Sequence, residues 1–518
     1  MSGGGIWGEA LARLPSYLGQ HVLLSVSAIL LGLGISLPLA LASARSRRLR
    51  GPLLSFASVV QTVPGLALLA LFYPLLLALS AFTRSAFGIS FGALGFLPAL
   101  LALTLYSMLP VLRNTIAGLD GIDPAIRMAA RGVGMTGWQS MWMVELPLAA
   151  PVIIAGIRTA AVWVIGTATL STPVGQTSLG NYIFTGLQTE NWVFVLFGCV
   201  AAAALALTID RLLALIHDGI AMRSKLRLGA AAAGLIAVVG LGIWPGIAPA
   251  AGAVTIGTKS FGEQYILGAL IQDRLERAGI ASTRRDGLGS NVLFHALSGG
   301  EVDVCVDYSG TIWTNEMHRA DLPGRQAVLT QMSQWLARTR GIRMLGPLGF
   351  ENAYALAMRA DRAQALHIRS LADLAAYAPR MKIGGDFEIF SRPEWRSVVQ
   401  AYGLKFAEQR QYQANFMYRA AASGTVDVIT AFSSDGQIAR YDLVLLTDPR
   451  GALPPYDAVI LVSHRSAGNA RLIAALQPLI GSIDLTTMQR ANLMVDRDTD
   501  KRSPAEVARM LSGRIGRR

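Results

Sequence analysis

Long apolar runs fill the first half of this 518-residue chain and constrain its fold more than any other feature. An α-helix needs about 20 apolar residues to cross the hydrocarbon core of a bilayer. The first such run is at about Leu18–Ala44, and further runs follow at about Pro52–Phe82, Phe91–Leu112, Ala149–Ser171, Trp192–Ile216 and Leu228–Ile247. Pro64 interrupts the second run, which is therefore either one kinked span or two pieces. The pattern predicts an all-α polytopic membrane domain with about six spans.

The second half of the chain has a different composition. Residues 1–252 hold only 7 of the 33 acidic and 14 of the 46 basic residues, so most charges lie in 253–518. From Val254 onward, short β-rich runs alternate with helical patterns, which indicates an α/β fold with a mainly parallel sheet. A segment of this length favours two lobes. We expect the chain to cross between them near Ala355–Arg359 and to return near Asp457–Val462, as in a hinged ligand trap.

The difference in composition and pattern between the two halves predicts the domain boundaries. Residues 1–227 should form a transmembrane domain with an insert at 123–147, and 228–252 a sixth span and connector that includes Trp244–Ala253. Residues 253–518 should form the soluble domain, with one lobe from about 254–355 plus 460–518 and the other from 356–459. The first run lacks a basic segment before it and a cleavage site, so we expect it to remain as an anchor.

Loop charges predict the orientation. Two loops carry clusters of basic residues: Arg45, Arg47, Arg48 and Arg50 after the first run, and Arg223, Lys225 and Arg227 before the last. Such loops favour the cytoplasm. Counting alternate sides then places the insert in the cytoplasm and the whole C-terminal half outside the cell or in the periplasm.

Several classes of function lack their sequence signatures. No GxxxxGK[ST] phosphate loop occurs, the six histidines are scattered without metal-ligand spacing, and no nucleophile elbow is present. We therefore expect no catalytic residues, metal site or cofactor on this chain, and no disulfide between Cys199 and Cys305. The net charge of +13 could indicate nucleic-acid binding. In the first half, the excess basic residues flank the apolar runs, and membrane topology explains that position better than nucleic-acid binding does. We therefore expect no nucleic-acid partner.

The insert Asp123–Pro147 is polar enough for a surface and has the pattern of two short helices. Asp123 should cap a helix, which Gly132 and Gly134 should end. Thr136 followed by Gln139 predicts a capping box for a second helix.

We expect Pro147 to mark the far end of that second helix. Such an insert would dock a cytoplasmic partner. A DNA-binding helix–turn–helix is the alternative, which the flanking spans disfavour.

The stretch MAARGVGMTGWQSMWMVELPLAAPVIIAGIRTA resembles the "EAA" loop of ABC-importer permeases, in the branch that serves quaternary amines such as glycine betaine and choline. The matching positions, which the resemblance implies couple to the ATPase, are Ala129, Ala130, Gly134, Leu146 and Pro147. Met128 stands where the family has glutamate. The run GQTSLGNYIFTGLQTENW is similar to the same branch. The resemblance implies a separate cytoplasmic ABC ATPase that uses the ATP, and a homodimer of this chain around the pore.

The soluble half resembles the substrate-binding proteins of the same systems. The similar stretches are IGTKSFGEQYILGALI, DVCVDYSGTIWT, GFENAYALAMR, VDVITAFSSDGQIARYDLVLLTD and TDPRGALPPYDAVILV. The chain is thereby identified as a permease fused to its own binding protein. It should lie in the lipid of the inner membrane and import a small zwitterionic or cationic solute.

A quaternary ammonium has no N–H group, so aromatic rings must hold it through cation–π attraction. Candidate rings, which also fall where similar binding proteins have their cage, are Tyr308, Tyr354, Tyr418 and Phe432. Gln264 and Thr311 match positions that make polar ligand contacts in the family. Arg392 is a candidate for a ligand carboxylate, because its guanidinium can bind one with two hydrogen bonds. Packing in the core is the alternative for each aromatic residue.

Other functions fit this sequence less well. The same architecture could serve ergothioneine, another zwitterionic amino-acid derivative or an amino acid. A membrane-bound receptor without transport would need a cytoplasmic signalling domain, and an outer-compartment enzyme would need catalytic groups. The sequence has a pattern for neither.

Overall fold

The computed structural model describes residues 6–88, 91–243, 252–319, 321, 323–497 and 499–515. The chain forms two compact units, one from Met1–Phe184 and Val193–Ala248, the other from Thr185–Trp192 and Pro249–Arg518. The first is a helical membrane domain and the second is a two-sheet α/β domain. This is the predicted fold class.

The first unit is built from helices. They are α1 (Ile6–Arg45), α2 (Arg47–Thr62), α3 (Gly65–Phe87), α4 (Phe96–Asp120), α5 (Pro124–Gly132), α6 (Gly137–Ser140), α7 (Leu146–Ala168), α8 (Gly180–Gln188), α9 (Trp192–Ala221) and α10 (Lys225–Ile243). The core lies where α4 packs against α1 and α7. Gly156 permits the close approach of α7 to α4, because a Cβ there would lie 2.6 Å from Cβ of Asn114.

Within the described residues, five helical segments are long and apolar enough to cross a membrane: Trp7–Ala44, Gly65–Phe87, Phe96–Asp120, Gly137–Val174 and Trp192–Ala221. The second predicted run is two helices, since the chain breaks at Val63 and Pro64 between α2 and α3. Helix α10 covers most of the predicted sixth span. The end of that span and nearly all of the predicted connector Trp244–Ala253 lie outside the described residues.

The second unit contains two five-stranded sheets. Its strands are β1 (Val254–Lys259), β2 (Ser282–Leu288), β3 (Val304–Tyr308), β4 (Arg343–Glu351), β5 (Tyr354–Arg359), β6 (Lys382–Gly385), β7 (Glu408–Gln411), β8 (Val428–Phe432), β9 (Leu443–Leu445) and β10 (Asp457–Val462). The first lobe has the order β2-β1-β3-β10-β4, and the second has β7-β6-β8-β5-β9.

Helices cover both sheets. They are α11 (Gly262–Arg277), α12 (Ser290–Gly299), α13 (Ser309–Thr311), α14 (Arg325–Arg340), α15 (Ala360–Ala365), α16 (Leu371–Leu374), α17 (Pro393–Tyr402), α18 (Ala414–Ala422), α19 (Gln437–Arg440), α20 (Ala470–Leu476), α21 (Leu485–Asp496) and α22 (Pro504–Ile515). A π-helical turn, Ile312–Glu316, follows α13.

Both sheets are mixed, which corrects the expectation of mainly parallel sheets. Strand β1 pairs in parallel with β2 and β3, whereas β10 is antiparallel to β3 and β4. Strand β6 is parallel to β7 and β8, whereas β5 is antiparallel to β8 and β9. The antiparallel pairings in both lobes involve β5 and β10, the first strands after each passage between lobes. The outward passage is at Asn352 and Ala353, slightly before the predicted Ala355–Arg359, and the return precedes β10.

Candidate ligand-binding site and coupling insert

A cavity of about 220 Å³ lies where strand ends of the two lobes face each other. Lys259 ends β1, Tyr308 ends β3, and Phe432 ends β8. Tyr354 begins β5 and pairs with Phe432 across the antiparallel ladder. Sites for drug-sized ligands usually measure about 300–1,000 Å³. The cavity therefore suits a smaller solute.

Six aromatic side chains line this cavity: the exposed Phe387, and a group of five formed by Phe261, Tyr308, Tyr354, Phe432 and Tyr456. The Phe261 ring centre lies 6.2 Å from that of Tyr308. It lies 6.5 Å from that of Phe432, and the planes of Phe261 and Phe432 are nearly parallel. Tyr354 continues the group, with ring centres 4.8 Å from Phe432 and 5.7 Å from Tyr456. These five rings thus form one connected group that spans both lobes.

Glu263 is the most heavily bonded polar group of the cavity. Its Oε1 accepts hydrogen bonds from the Tyr308 hydroxyl at 2.5 Å and from Nδ2 of Asn352 at 3.2 Å. Its Oε2 accepts from the Ser434 hydroxyl at 2.5 Å and from Nδ2 of Asn492 at 3.0 Å. Burial raises the pKa of this carboxyl, and the hydrogen bonds from Ser434, Tyr308 and Asn492 oppose that rise.

Arg392 is the basic group of the second lobe. Its guanidinium donates to the Tyr354 hydroxyl at 3.3 Å and lies 5.4 Å from the centre of that ring. Its ion pair with the exposed Glu388 is long, at 3.8 Å. The Tyr354 hydroxyl in turn donates to Asp386 at 3.3 Å. Arg392 is therefore held at the cavity wall without a short ion pair.

Acidic side chains outnumber basic ones in the cavity lining. The acids are Glu263, Asp386, Glu388, Asp435 and Asp496, and the bases are Lys259 and Arg392. Lys259 is paired with the buried Asp307 at 2.5 Å. Burial raises the pKa of Asp435 to about 6 and that of Asp496 well above its usual value. Burial thus disfavours the charged form of both carboxyls, and a bound cation would stabilise that charged form. No group of three possible metal-ligating side chains occurs in the described part of the chain.

The insert of the membrane unit begins as predicted. The Asp123 carboxylate accepts a 2.8 Å bond from the backbone N–H of Ala125, α5 ends at Gly132, and Gly134 has a φ of +83°. Thr136 and Gln139 form the predicted capping box.

The expectation for Pro147 is wrong. After α6 the chain continues through a π-helical turn, Met141–Glu145, directly into α7. Pro147 thus lies inside a continuous helical run and does not mark a helix end. The insert is therefore joined rigidly to a membrane helix.

The insert exposes an apolar surface. The large exposed apolar side chains are Ile126, Met128, Val133, Trp138, Trp142 and Met143. Among the predicted coupling residues, Ala129, Gly134 and Pro147 are exposed, Leu146 is half-buried and Ala130 is buried.

An ion pair from Arg127 to Glu145, at 3.1 Å, ties α5 to the π-helical turn. Glu145 also accepts a 3.1 Å bond from Ser140. These bonds fix the two short helices relative to each other.

Residues 252–510 match the family model described as "Substrate binding domain of ABC-type glycine betaine transport system". That match spans half of the chain. The chain belongs to this family. Residues 32–222 match the "Binding-protein-dependent transport system inner membrane component". The protein is thus an ABC-importer permease fused to a substrate-binding domain for osmoprotectant-type solutes, in the inner membrane. Membership implies a partner ATPase and a small solute.

Two curated relatives illustrate the similarity. The chain is 28% identical over 485 residues to the "Ergothioneine transport permease/ergothioneine binding protein EgtU" of Helicobacter pylori, covering 90% of this chain and 84% of that protein. It is 40% identical over 196 residues to the "Glycine betaine/carnitine/choline transport system permease protein OpuCB" of Bacillus subtilis, covering 38% and 83%. A solved "glycine betaine/carnitine/choline ABC transporter" is 27% identical, covers 50% of this chain and 96% of its own, and has a TM-score of 0.44.

In this ABC-importer subunit, five of the seven predicted ligand residues line the cavity: Tyr308, Thr311, Tyr354, Arg392 and Phe432. Neither Gln264 nor Tyr418 is part of the lining, so contact of either residue with a ligand remains a prediction. The Gln264 amide donates to the Tyr308 hydroxyl at 3.0 Å and to the Val306 carbonyl, so it positions a ring. Tyr418 is fully buried in the second lobe, and its hydroxyl accepts from the backbone of Phe432.

The sequence analysis missed other residues of the lining, among them Phe261, Glu263, Asn352, Tyr456 and Asn492. Phe261 and Glu263 lie in the stretch TKSFGEQ, directly after β1 and at the start of α11. The carboxyl end of a parallel strand is a usual position for ligand contacts. The position of Phe261 and Glu263 after β1 could therefore have indicated a ligand contact from the sequence. No local pattern marks Asn352 or Asn492.

Proposed function

We propose that this chain is the membrane subunit of an ATP-driven importer that captures and translocates a quaternary-ammonium compatible solute of the glycine betaine, choline or carnitine type. The observation that carries the proposal is the connected group of five aromatic rings in a cavity whose charged lining residues are mostly acids. A trimethylammonium head offers no hydrogen-bond donor, so ring faces and nearby acidic side chains are what can select it. Each well-placed ring contributes about 0.5–2 kcal/mol.

Arg392 supplies a further element of the proposal. A compatible solute such as glycine betaine carries a carboxylate at its far end, and the Arg392 guanidinium could bind it with two hydrogen bonds. Its long, 3.8 Å contact with the exposed Glu388 leaves that guanidinium able to change partner. Thr311, also in the lining, would add a hydroxyl contact.

The transport cycle that we propose uses both units. The C-terminal domain lies in the periplasm or outside the cell and closes its lobes on the solute. Two copies of the chain form the pore, and each presents its insert to a separate cytoplasmic ATPase. The chain itself carries no catalytic group or cofactor, and ATP is used by that partner.

Ergothioneine, or another zwitterionic amino-acid derivative, is the alternative solute. The Helicobacter pylori relative named for ergothioneine is similar over 90% of this chain, so it shares both halves of the fusion. A receptor without transport is a third hypothesis, which the exposed apolar surface of the insert disfavours.

Titration calorimetry of the full chain in lipid nanodiscs tests the proposal. The ligands are glycine betaine, choline, carnitine and ergothioneine, with 3,3-dimethylbutanol as the neutral isostere of choline. We expect at least one quaternary amine to bind, and choline to bind at least tenfold more tightly than its isostere. Absence of heat with glycine betaine, choline and carnitine would refute the proposal, and heat with ergothioneine alone would favour the alternative solute.

A further inference from the structure

Two buried amide oxygens beside the cavity have no hydrogen-bond partner among the described residues. They are Oδ1 of Asn352 and Oδ1 of Asn492, on side chains that are 6% and 4% exposed. Both residues line the cavity. Buried polar atoms of native proteins are nearly always paired with protein, water or ligand. These two acceptors therefore call for a donor that the protein does not provide.

The orientation of both amides is fixed by their neighbours. Nδ2 of Asn492 donates to the Glu263 carboxylate at 3.0 Å and to the backbone carbonyl of Ser434 at 2.8 Å. A flipped amide would place its oxygen against two acceptors. Nδ2 of Asn352 likewise donates to Glu263, at 3.2 Å. The unpaired atom is thus the carbonyl oxygen in each residue.

The two side chains come from different parts of the two-lobed domain. Asn352 is in the outward passage between the lobes, and Asn492 is on α21 of the first lobe. Both are joined through Glu263, which also accepts from Ser434 of the second lobe. A ligand donor that reached them would complete a network already shared by both lobes.

We propose that the solute carries an N–H or O–H donor in addition to its trimethylammonium head, and that this donor bonds to Oδ1 of Asn492, with Oδ1 of Asn352 as the second acceptor. This inference rests on the proposed function and narrows it. A donor-bearing solute, such as a trimethylammonium alcohol or a betaine with a ring N–H, fits the site better than glycine betaine, which has no donor.

The test uses pairs of ligands that differ by one donor. Choline is compared with propyltrimethylammonium, carnitine with its deoxy form, and ergothioneine with its ring-N-methylated form, by calorimetry on the full chain in nanodiscs. In the wild type, we expect the donor-bearing member of the tightest pair to bind at least tenfold better. A site with only an apolar requirement would instead prefer the propyl compound.

The variants Asn492→Leu and Asn352→Leu test the same contact from the side of the protein. If a ligand group contacts the replaced side chain, the ratio of the affinities of the two ligands in a pair changes in the variant. We expect the preference to fall below about threefold in Asn492→Leu. Gln489→Leu is the matched control: its amide, on the same helix, bonds to the Ser433 carbonyl and should leave the ratio as in the wild type.

Circular dichroism checks that each variant is folded, and Asn352→Leu supplies a second reading should Asn492→Leu fail to fold. Equal affinities within the tightest pair, or a preference retained in both variants, would overturn the inference while leaving the proposed function intact. If no quaternary amine binds at all, the proposed function fails and this inference fails with it.

Discussion

The hydroxyl of Ser434 donates a 2.5 Å hydrogen bond to Oε2 of Glu263, and this bond joins the two lobes. Ser434 follows β8 of the second lobe, whereas Glu263 is in the first turn of α11. A second bond runs in the opposite sense, from Thr314 of the first lobe to the buried Glu394 of the second, at 2.9 Å. In each lobe, one buried carboxylate thus accepts a hydrogen bond from a hydroxyl of the other lobe. Glu263 also accepts a hydrogen bond from the hydroxyl of Tyr308 in the cavity.

Replacing Ser434 by alanine should weaken ligand binding. The variant removes one of the four donors of a buried carboxylate, and a hydrogen bond to a charged group contributes about 1.5–3 kcal/mol. We expect the affinity for choline, measured by calorimetry, to fall roughly tenfold or more. Ser423→Ala is the control, because that hydroxyl is exposed on the second lobe and bonds only locally. Equal affinities of Ser434→Ala and the wild type would show that the interlobe bond does not stabilise the closed form.

The ring and the hydroxyl of Tyr308 should have separable effects. Tyr308→Ala removes a ring face, so we expect choline to bind about tenfold more weakly and to lose part of its advantage over 3,3-dimethylbutanol. Tyr308→Phe keeps the ring and loses the hydroxyl, with its bonds to Glu263 and Gln264. It should therefore lower both affinities alike and preserve their ratio. A ratio unchanged in Tyr308→Ala would assign this ring to core packing; circular dichroism monitors folding.

Local sequence patterns predicted local structure well. The Asp123 cap, the Thr136 capping box and the break before α3 each depend on residues within one or two turns. The ring positions at strand ends, such as Tyr308 and Phe432, follow from the alternation of strands and helices together with the family resemblance.

Features that depend on distant partners could not be predicted. Asn492 meets Glu263 across 229 positions of sequence, so no window contains both. Tyr418 lies on a helix whose rotation depends on packing against β8, and its ring faces the lobe core. Pro147 was misplaced because a π-helical turn, which has no sequence signature that we recognise, carries the helix past it.

The acidity of Asp435 predicts a dependence of stability on pH. Burial raises its folded pKa from 3.8 to about 6, beside Asp496 and Tyr418. Its contribution to the free energy of unfolding is therefore fully present below about pH 3.8 and is lost as the pH rises through 6. Relative to Asp435→Asn, the wild type should lose up to about 3 kcal/mol between pH 4 and pH 7.

Urea unfolding of the separately expressed residues 252–518 measures this difference. Asp361→Asn is the control, since the hydrogen bond from Arg359 lowers the pKa of that exposed carboxyl and its contribution should not decline over this range. A constant difference between the wild type and Asp435→Asn from pH 4 to pH 7 would contradict the prediction.

Arg392→Met should discriminate among the candidate solutes. Methionine keeps an unbranched apolar side chain beside Tyr354 but cannot bind a carboxylate. We expect glycine betaine and carnitine to bind at least tenfold more weakly, by about 1.4 kcal/mol or more. The affinity for choline, which has no carboxylate, should change much less. Arg396→Met, on an exposed position of α17, is the matched control. A uniform loss for all three ligands would mean that Arg392 stabilises the second lobe and does not contact a carboxylate.

Gly134→Val should abolish uptake while leaving solute binding unchanged. A Cβ at Gly134 meets no atom within 4 Å, so the effect comes from the backbone, whose φ of +83° is unfavourable for a β-branched residue. Gly132→Ala is the matched control, because it also has open space but lies at the end of α5 without a positive φ. Uptake and ATP hydrolysis by proteoliposomes that contain the chain and its ATPase are compared with calorimetric affinity. If Gly134→Val transports as well as Gly132→Ala does, the turn of the insert does not transmit ATP-driven motion, and the coupling contact must lie elsewhere on the membrane domain.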